Sequence, residues 1–320
     1  MKERGKLFFI FVGLLVAAFA SCTKTENQPS VTGEDDLDIL VKNKKWELVE
    51  DLSDEFEASS FNGLKWTKDP FNDDYGWYGR WPGLFEEDNV HQQKGLLLLE
   101  NEIFEKPKKI NTTEWTHGGA IVRSRAVVQP GMFLECSMQT TSTIMSGTFW
   151  LVTEPADCED IPKKELDVTE SIGVRNGVYK KQKDGAEAPA WYEKTSYQFE
   201  KGINANARQR KTECLDTKNM PGKARRDIDP SEGFHTYGFY WEGPEKLHFY
   251  FDGKYEFSIK PSIPFEHGMR IVLASETYDF NMPSDDPVLD GFKTADGKDK
   301  AVEDRSSKYE WVRTWKTVDR

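Results

Sequence analysis

Histidine and cysteine are scarce in this chain, with 5 and 4 copies among 320 residues, and neither Cys-x-x-Cys nor His-Glu-x-x-His occurs. A zinc site needs three or four such ligands at short spacings, so no metal ligand is assigned. Positive charge is also short: 43 Lys and Arg against 55 Asp and Glu leave a net charge of −12. An extended nucleic-acid contact requires a basic face, which this balance excludes. Long apolar runs are missing beyond the first 21 residues, as are helical periodicity and internal repeats. A polytopic membrane protein and a solenoid are thereby excluded. Aromatic residues, in contrast, are abundant, with 10 Trp, 11 Tyr and 20 Phe. Disorder along most of the length is incompatible with that content, and one large domain is expected.

The N-terminus reads as an export signal. Lys2, Arg4 and Lys6 precede the apolar run Leu7 to Phe19, which ends in Ala20 and Ser21 before Cys22. The run is short for a bilayer-spanning helix and fits a signal peptide over residues 1–21. Its end resembles a bacterial lipobox, so Cys22 is expected to be acylated after cleavage. This predicts an exported lipoprotein on the outer membrane, at the cell surface or on its periplasmic face, meeting the membrane only through lipid. Residues 22–45 are polar, with Asn27, Pro29, Ser30 and Gly33, and read as a flexible linker to a domain spanning 46–320. Cys136 is expected as a buried free thiol, while Cys158 and Cys214 could pair in an oxidising compartment.

Beyond Trp46 the chain is a series of short Val-, Ile-, Phe-, Tyr- and Trp-rich runs separated by Gly, Asn, Asp and Pro. Leu96–Glu100, Ala120–Val127, Met132–Met138, Thr148–Val152, His235–Trp241, Leu247–Phe251, Tyr255–Ile259, Met269–Ser275 and Tyr309–Trp315 are predicted strands. Asp252-Gly253 between two aromatic runs has the chemistry of a tight hairpin. The expectation is an all-β domain of two packed antiparallel sheets. The charged stretch from about Lys180 to Glu232 reads as elaborated loops at one end. His235 shares a strand face with Tyr237, Phe239 and Trp241 and is expected to be structural.

The chemistry is concentrated in Glu165-Leu166-Asp167-Val168-Thr169-Glu170. On a strand, Glu165 and Asp167 share one face while Leu166 and Val168 take the other. Glu170 would fall on the wrong side unless one residue is inserted in a β-bulge near Val168 or Thr169. Three clustered acids disfavour simultaneous ionisation, so one tends to keep a proton beside a charged partner. Glycosidic cleavage uses that division of labour. Glu165 is the expected nucleophile, Glu170 the acid/base, and Asp167 the assisting residue between them. With 55 acids in the chain, such a pattern arises by chance roughly once or twice. Its weight therefore comes from its neighbours.

Those neighbours are Gly118-Gly119-Ala120-Ile121-Val122-Arg123-Ser124-Arg125, Gly131-Met132-Phe133-Leu134-Glu135, Ser146-Gly147-Thr148-Phe149-Trp150-Leu151, Phe234-His235-Thr236-Tyr237 with Trp241, and Tyr309-Glu310-Trp311-Val312-Arg313-Thr314-Trp315. In this order, around the acidic run, they resemble glycoside hydrolase family 16. The resemblance implies a jelly-roll β-sandwich with a concave substrate cleft and retaining, endo-acting cleavage of a β-linked polysaccharide. Trp77-Tyr78-Gly79-Arg80 with Pro82 and Phe85, and Ser275 to Asn281, are similar to the agarase and porphyranase branch. Red-algal galactan cut at β-1,4 linkages is thus the first expectation. A laminarinase-type β-1,3-glucanase and a non-catalytic glycan-binding module are the alternatives. Trp77 and Trp150 are candidate sugar platforms, Arg80 a candidate ligand for a hydroxyl or sulfate, and Glu276 a hydroxyl acceptor. No cofactor is required. The resemblance leaves room for a structural calcium on the outer sheet, with Glu310 where relatives often carry Asp. A monomer is expected.

Overall fold

The computed structural model describes residues 28–73, 76–153, 163–175, 203–209, 218–225 (backbone only) and 227–318. The signal segment, Cys22, Cys158 and Cys214 lie outside the described residues.

Two stacked sheets build the domain. One runs in the order Lys254–Ile259, Lys246–Phe251, His235–Gly243, Met132–Gln139, Ser306–Thr317, Leu96–Glu100 and Val90–Gln93, with Trp46–Leu48 also paired to Ser306–Thr317. The other runs Lys218–Arg225, Ile203–Gln209, Lys164–Ile172, Ser146–Thr153, Met269–Ser275, Thr113–Ser124, Gly83–Phe85 and Gly79–Arg80. Apart from Gly83–Phe85 against Thr113–Ser124, these ladders are antiparallel. This is a jelly-roll β-sandwich with a concave cleft face.

Alternation explains why these segments become half-buried strands. Leu134, Cys136 and Met138 meet Tyr237, Phe239 and Trp241 on the inner face of the first sheet, and Phe149, Leu151, Leu166, Val168, Ile271 and Leu273 line the second. Burial of each such side chain contributes about 1.5 to 3 kcal/mol. Eight of the nine predicted strands are present, several extended by a residue or more, whereas the run predicted as Ala120–Val127 is the end of a longer strand, Thr113–Ser124, that stops three residues earlier. Asp252 and Gly253 have φ of +47° and +73°, the left-handed pair that a two-residue hairpin requires. Cys136 is free and buried. His235 is structural: its Nδ1 lies 3.0 Å from Asp252 Oδ2, and Asp252 Oδ1 accepts from Thr236 N at 2.9 Å.

Two expectations are corrected. Residues from 28 onward are not a free linker. Asp36–Lys42 is a helix with Asp35 as N-cap and a capping box closed by Asp38. Val31 and Val41 bury themselves against Phe133, Tyr240, Tyr250 and Trp315 on the outer face of the first sheet. The arm crosses the hairpin tip, where Thr32 N donates to Gly253 O at 2.7 Å and a Cβ on Gly253 would stand 2.4 Å from Ser30 O. Its few apolar residues fall at positions that meet one aromatic patch, which composition alone conceals.

The second correction concerns the charged stretch after Lys180. It contributes the strands Ile203–Gln209 and Lys218–Arg225, the former with Ile203, Ala205 and Ala207 in the core. Small alanines facing large neighbours fill the sandwich without leaving a hydrophobic signature in sequence.

Candidate active site

The Lys164–Ile172 strand carries the three acids. Its register against Ser146–Thr153 sets Trp150 opposite Asp167 and Phe149 opposite Thr169, so Val168 is the extra residue of a bulge. That is the insertion needed to bring Glu170 to the side of Glu165 and Asp167. Leu166 and Val168 are fully buried in the core, while Glu165, Asp167 and Glu170 are 6%, 2% and 8% exposed on the other face.

One guanidinium shows that the acids converge. Arg208 lies opposite Glu165 in the ladder with Ile203–Gln209. Its Nη1 is 3.6 Å from Glu165 Oε1, and its Nη2 is 3.9 Å from both Asp167 Oδ2 and Glu170 Oε2. Burial disfavours the Arg208 charge, yet attraction to Asp167, Glu170 and Glu165 outweighs it and holds the group above its ordinary value. Nothing local in the sequence marks Arg208, because its strand reads as part of a loop.

A second unforeseen neighbour is Tyr278. Its hydroxyl donates to Glu170 Oε1 at 2.9 Å. Burial, followed by the charges of Glu170 and Glu276, pushes the phenol well above its ordinary range, so it remains a donor. Its ring stacks on Phe280 with centroids 4.8 Å apart.

The expected sugar-binding residues divide. Trp150 lies on the cleft face beside Asp167, but it is 5% exposed. The half-buried Trp77 meets it edge to face at 5.9 Å and meets Phe85 at 4.9 Å. Trp150 is therefore a support for Trp77 and not an open platform, since this cluster packs over Ile121, Val152, Val272 and Ala274. A buried ion pair at 2.8 Å between Arg123 and Asp73 ties the segment before Trp77 to the same sheet.

Glu276 is not a free acceptor. Its Oε2 receives Arg80 Nε at 2.7 Å, with side-chain exposures of 4% for Glu276 and 37% for Arg80. A carboxylate so buried needs its partner. Burial raises the Glu276 carboxyl above its usual value, Arg80 opposes this, and Glu170 and Glu165 add to it. Arg80 also lies over the Tyr278 ring, 5.2 Å from its centre. Arg80, Glu276, Tyr278 and Glu170 thus form one continuous wall.

Glu310 occupies a bulge and accepts from Ser137 Oγ at 2.6 Å. Among the described residues, no group of three His, Cys, Asp or Glu is placed to hold a metal ion.

Comparison with known proteins bears on this arrangement. The family model described as "Beta-porphyranase A-D, GH16 domain" matches residues 46–317. The chain is 33% identical over 302 residues to β-porphyranase C of Zobellia galactanivorans, covering 89% of this chain and 82% of the relative. To β-porphyranase B of the same bacterium it is 32% identical over 319 residues, covering 98% and 97%. The crystal structure of porphyranase B from Zobellia galactanivorans superposes with a TM-score of 0.70 at 29% identity, over 91% of this chain and 100% of that one. β-Agarase A in complex with oligoagarose, at a TM-score of 0.63 and 14% identity over 87% and 95%, shares the fold.

Proposed function

The chain belongs to the β-porphyranase A–D group of glycoside hydrolase family 16, and from that premise we propose that it cuts internal β-1,4 linkages of porphyran, ahead of agarose, with retention of configuration. The observation that carries this reading is the bulge at Val168, which gathers Glu165, Asp167 and Glu170 around Arg208.

In this mechanism Glu165 attacks the anomeric carbon as Glu170 passes its proton to the departing glycosidic oxygen. The anomeric C–O bond breaks and a bond to a Glu165 oxygen forms. Glu170, now a carboxylate, takes a proton from water as that water attacks the same carbon, and Glu165 leaves. Asp167, between them on the same face, tunes the charge that each carries. Arg208 balances the three acids before a substrate arrives.

Sugar binding is assigned to the wall beside the acids. Trp77, supported by Trp150 and Phe85, offers an aromatic face to a pyranose ring. Arg80, fixed at one nitrogen by Glu276, keeps the rest of its fork for a sulfate ester or hydroxyl. A sulfate ester adds charge pairing with this cation that neutral agarose lacks, and five relatives of this chain are named β-porphyranases.

Incubation with porphyran, agarose, carrageenan and laminarin, followed by product sizing and NMR of the first-formed anomer, tests the reading. Oligosaccharides of β configuration from porphyran support it. Products from laminarin alone would remove the galactan assignment, and α products would remove retention. Acylation at Cys22 is the matching proposal for location: Cys22→Ala should shift the protein from the membrane to the soluble fraction, and unchanged fractionation would overturn it.

A further inference from the structure

The carboxyl group of Glu170 has two oxygens in unlike surroundings. Oε1 accepts the Tyr278 hydroxyl at 2.9 Å. Oε2 is buried, has no hydrogen-bond partner, and faces Arg208 Nη2 at 3.9 Å. A buried carboxylate oxygen without a donor is costly. An oxygen that carries a proton, or that meets the oxygen of a substrate, avoids this cost. An oxygen already accepting from a phenol gains nothing by being protonated.

Tyr278 itself is held from several sides. Its ring stacks on Phe280 at 4.8 Å and has the Arg80 guanidinium 5.2 Å from its centre. The turn that carries it closes with Asn281 N donating to Tyr278 O at 3.1 Å. The Asn281 amide is fixed in turn on the carbonyls of Ile144 and Val174 at 3.1 and 2.9 Å. The phenol can therefore act as a fixed reference against which the Glu170 carboxyl is aligned.

We propose that Tyr278 is a positioning residue that fixes the orientation of the Glu170 carboxyl and assigns its mobile proton to Oε2. The proposal rests on Glu170 being the acid/base. In the first step the Oε2–H bond breaks, the proton joins the glycosidic oxygen, and that oxygen leaves the anomeric carbon with its electron pair. In the second step Oε2 takes the proton of the attacking water. The Tyr278 O–H bond stays intact throughout and stabilises Glu170 whenever it is a carboxylate. The groups around this carboxyl are Tyr278, Arg208, Glu165 and Asp167, with Arg80 and Glu276 behind the ring. Removal of the hydroxyl alone leaves each of these charges in place.

Tyr278→Phe keeps the ring and its stacking. The expected result is a kcat lower by about 10- to 100-fold on porphyran, with KM within about twofold. The descending limb of the kcat/KM profile should move to higher pH, because a carboxyl without that donor stays protonated longer. A dinitrophenyl glycoside of the repeating disaccharide needs little acid assistance, so its kcat/KM should fall by no more than about twofold. Incorporation of 3-fluorotyrosine at position 278 strengthens the donor and should move the limb to lower pH, an outcome that loss of packing cannot mimic. An unmoved limb in both variants, or equal losses on both substrates, overturns the proposal. Glu170→Gln, assayed alongside, separates the two claims: full activity on porphyran would remove the acid/base reading itself, whereas inactivity there with an unaltered Tyr278→Phe enzyme would remove only the role of Tyr278.

Discussion

Arg208 faces Glu165 directly across two antiparallel strands, and its guanidinium also reaches Asp167 and Glu170 at 3.9 Å. Three largely buried acids around one point would otherwise repel one another, and a single delocalised cation is the least bulky remedy. Replacement by methionine removes the charge and keeps most of the volume. Arg208→Met should therefore favour protonation within the cluster and displace the ascending limb of the kcat/KM profile to higher pH. At acid pH the loss should reach about tenfold for each unit of displacement. A pH–rate profile with its ascending limb unmoved would show that the arginine is not coupled to the acids.

This pairing marks the boundary of what the sequence makes legible. The acid run could be read locally, because a two-residue period assigns Glu165 and Asp167 to one face and the misfit of Glu170 demands one inserted residue. The inserted residue is Val168. Arg208 and Tyr278 had no such local sign. Ile203–Gln209 alternates isoleucine and alanine with Asn, Arg and Gln, a pattern as polar as a loop, and only its ladder with the Lys164–Ile172 strand turns it into a strand. Tyr278 follows the Met269–Ser275 strand in a turn whose direction is set by Asn281. Trp150 lies opposite Asp167 in the ladder, and its covering by Trp77 depends on a segment far away in the chain.

The N-terminal arm should contribute to stability without touching catalysis. Val41 is 1% exposed and packs with Phe133, Tyr240, Tyr250 and Trp315 on the face opposite the acids. Val41→Asp both removes that burial and places a charge on an aromatic patch. A cost of about 2 to 3 kcal/mol is expected, read as a lower midpoint in urea unfolding, with kcat/KM unchanged at a temperature where the variant is folded. A change within about 0.5 kcal/mol, the range of ordinary surface substitutions, would mean that the arm is undocked in solution.

His248 gives the outer sheet a sensitivity to acid. Burial holds its imidazole below the ordinary value of 6.5, with the hydrogen bond to Glu242 opposing. Its Nε2 is 2.8 Å from Glu242 and its Nδ1 is 2.7 Å from Ser258 Oγ. Because the folded value is depressed, the unfolded chain takes up the proton first as pH falls below about 6.5. The stabilisation is therefore complete above that pH and is lost progressively below it. The Tm of the intact protein should drop between pH 7.5 and 5.5, and His248→Gln should reduce this drop by about 2 to 4 °C. An identical drop in the variant would assign the acid sensitivity to other groups.

The roles of the two glutamates can be separated by the anomeric configuration of an azide adduct. With an activated substrate whose leaving group needs no proton, Glu170→Ala should still form the covalent intermediate on Glu165 and then stall, because no base remains to activate water. Azide needs no such base. It should attack the intermediate, restore turnover and yield a β-glycosyl azide, the product of two inversions. Glu165→Ala lacks the nucleophile but retains the acid, so azide can enter only in place of Glu165, directly on the substrate, and a single inversion gives the α-azide. Asp167→Asn should keep the geometry and lose a charge, with a smaller fall in rate and a displaced pH optimum. NMR of the azide products reads the outcome: β-azide from Glu165→Ala and α-azide from Glu170→Ala would exchange the two assignments, and no rescue in either variant would remove the covalent mechanism from this site.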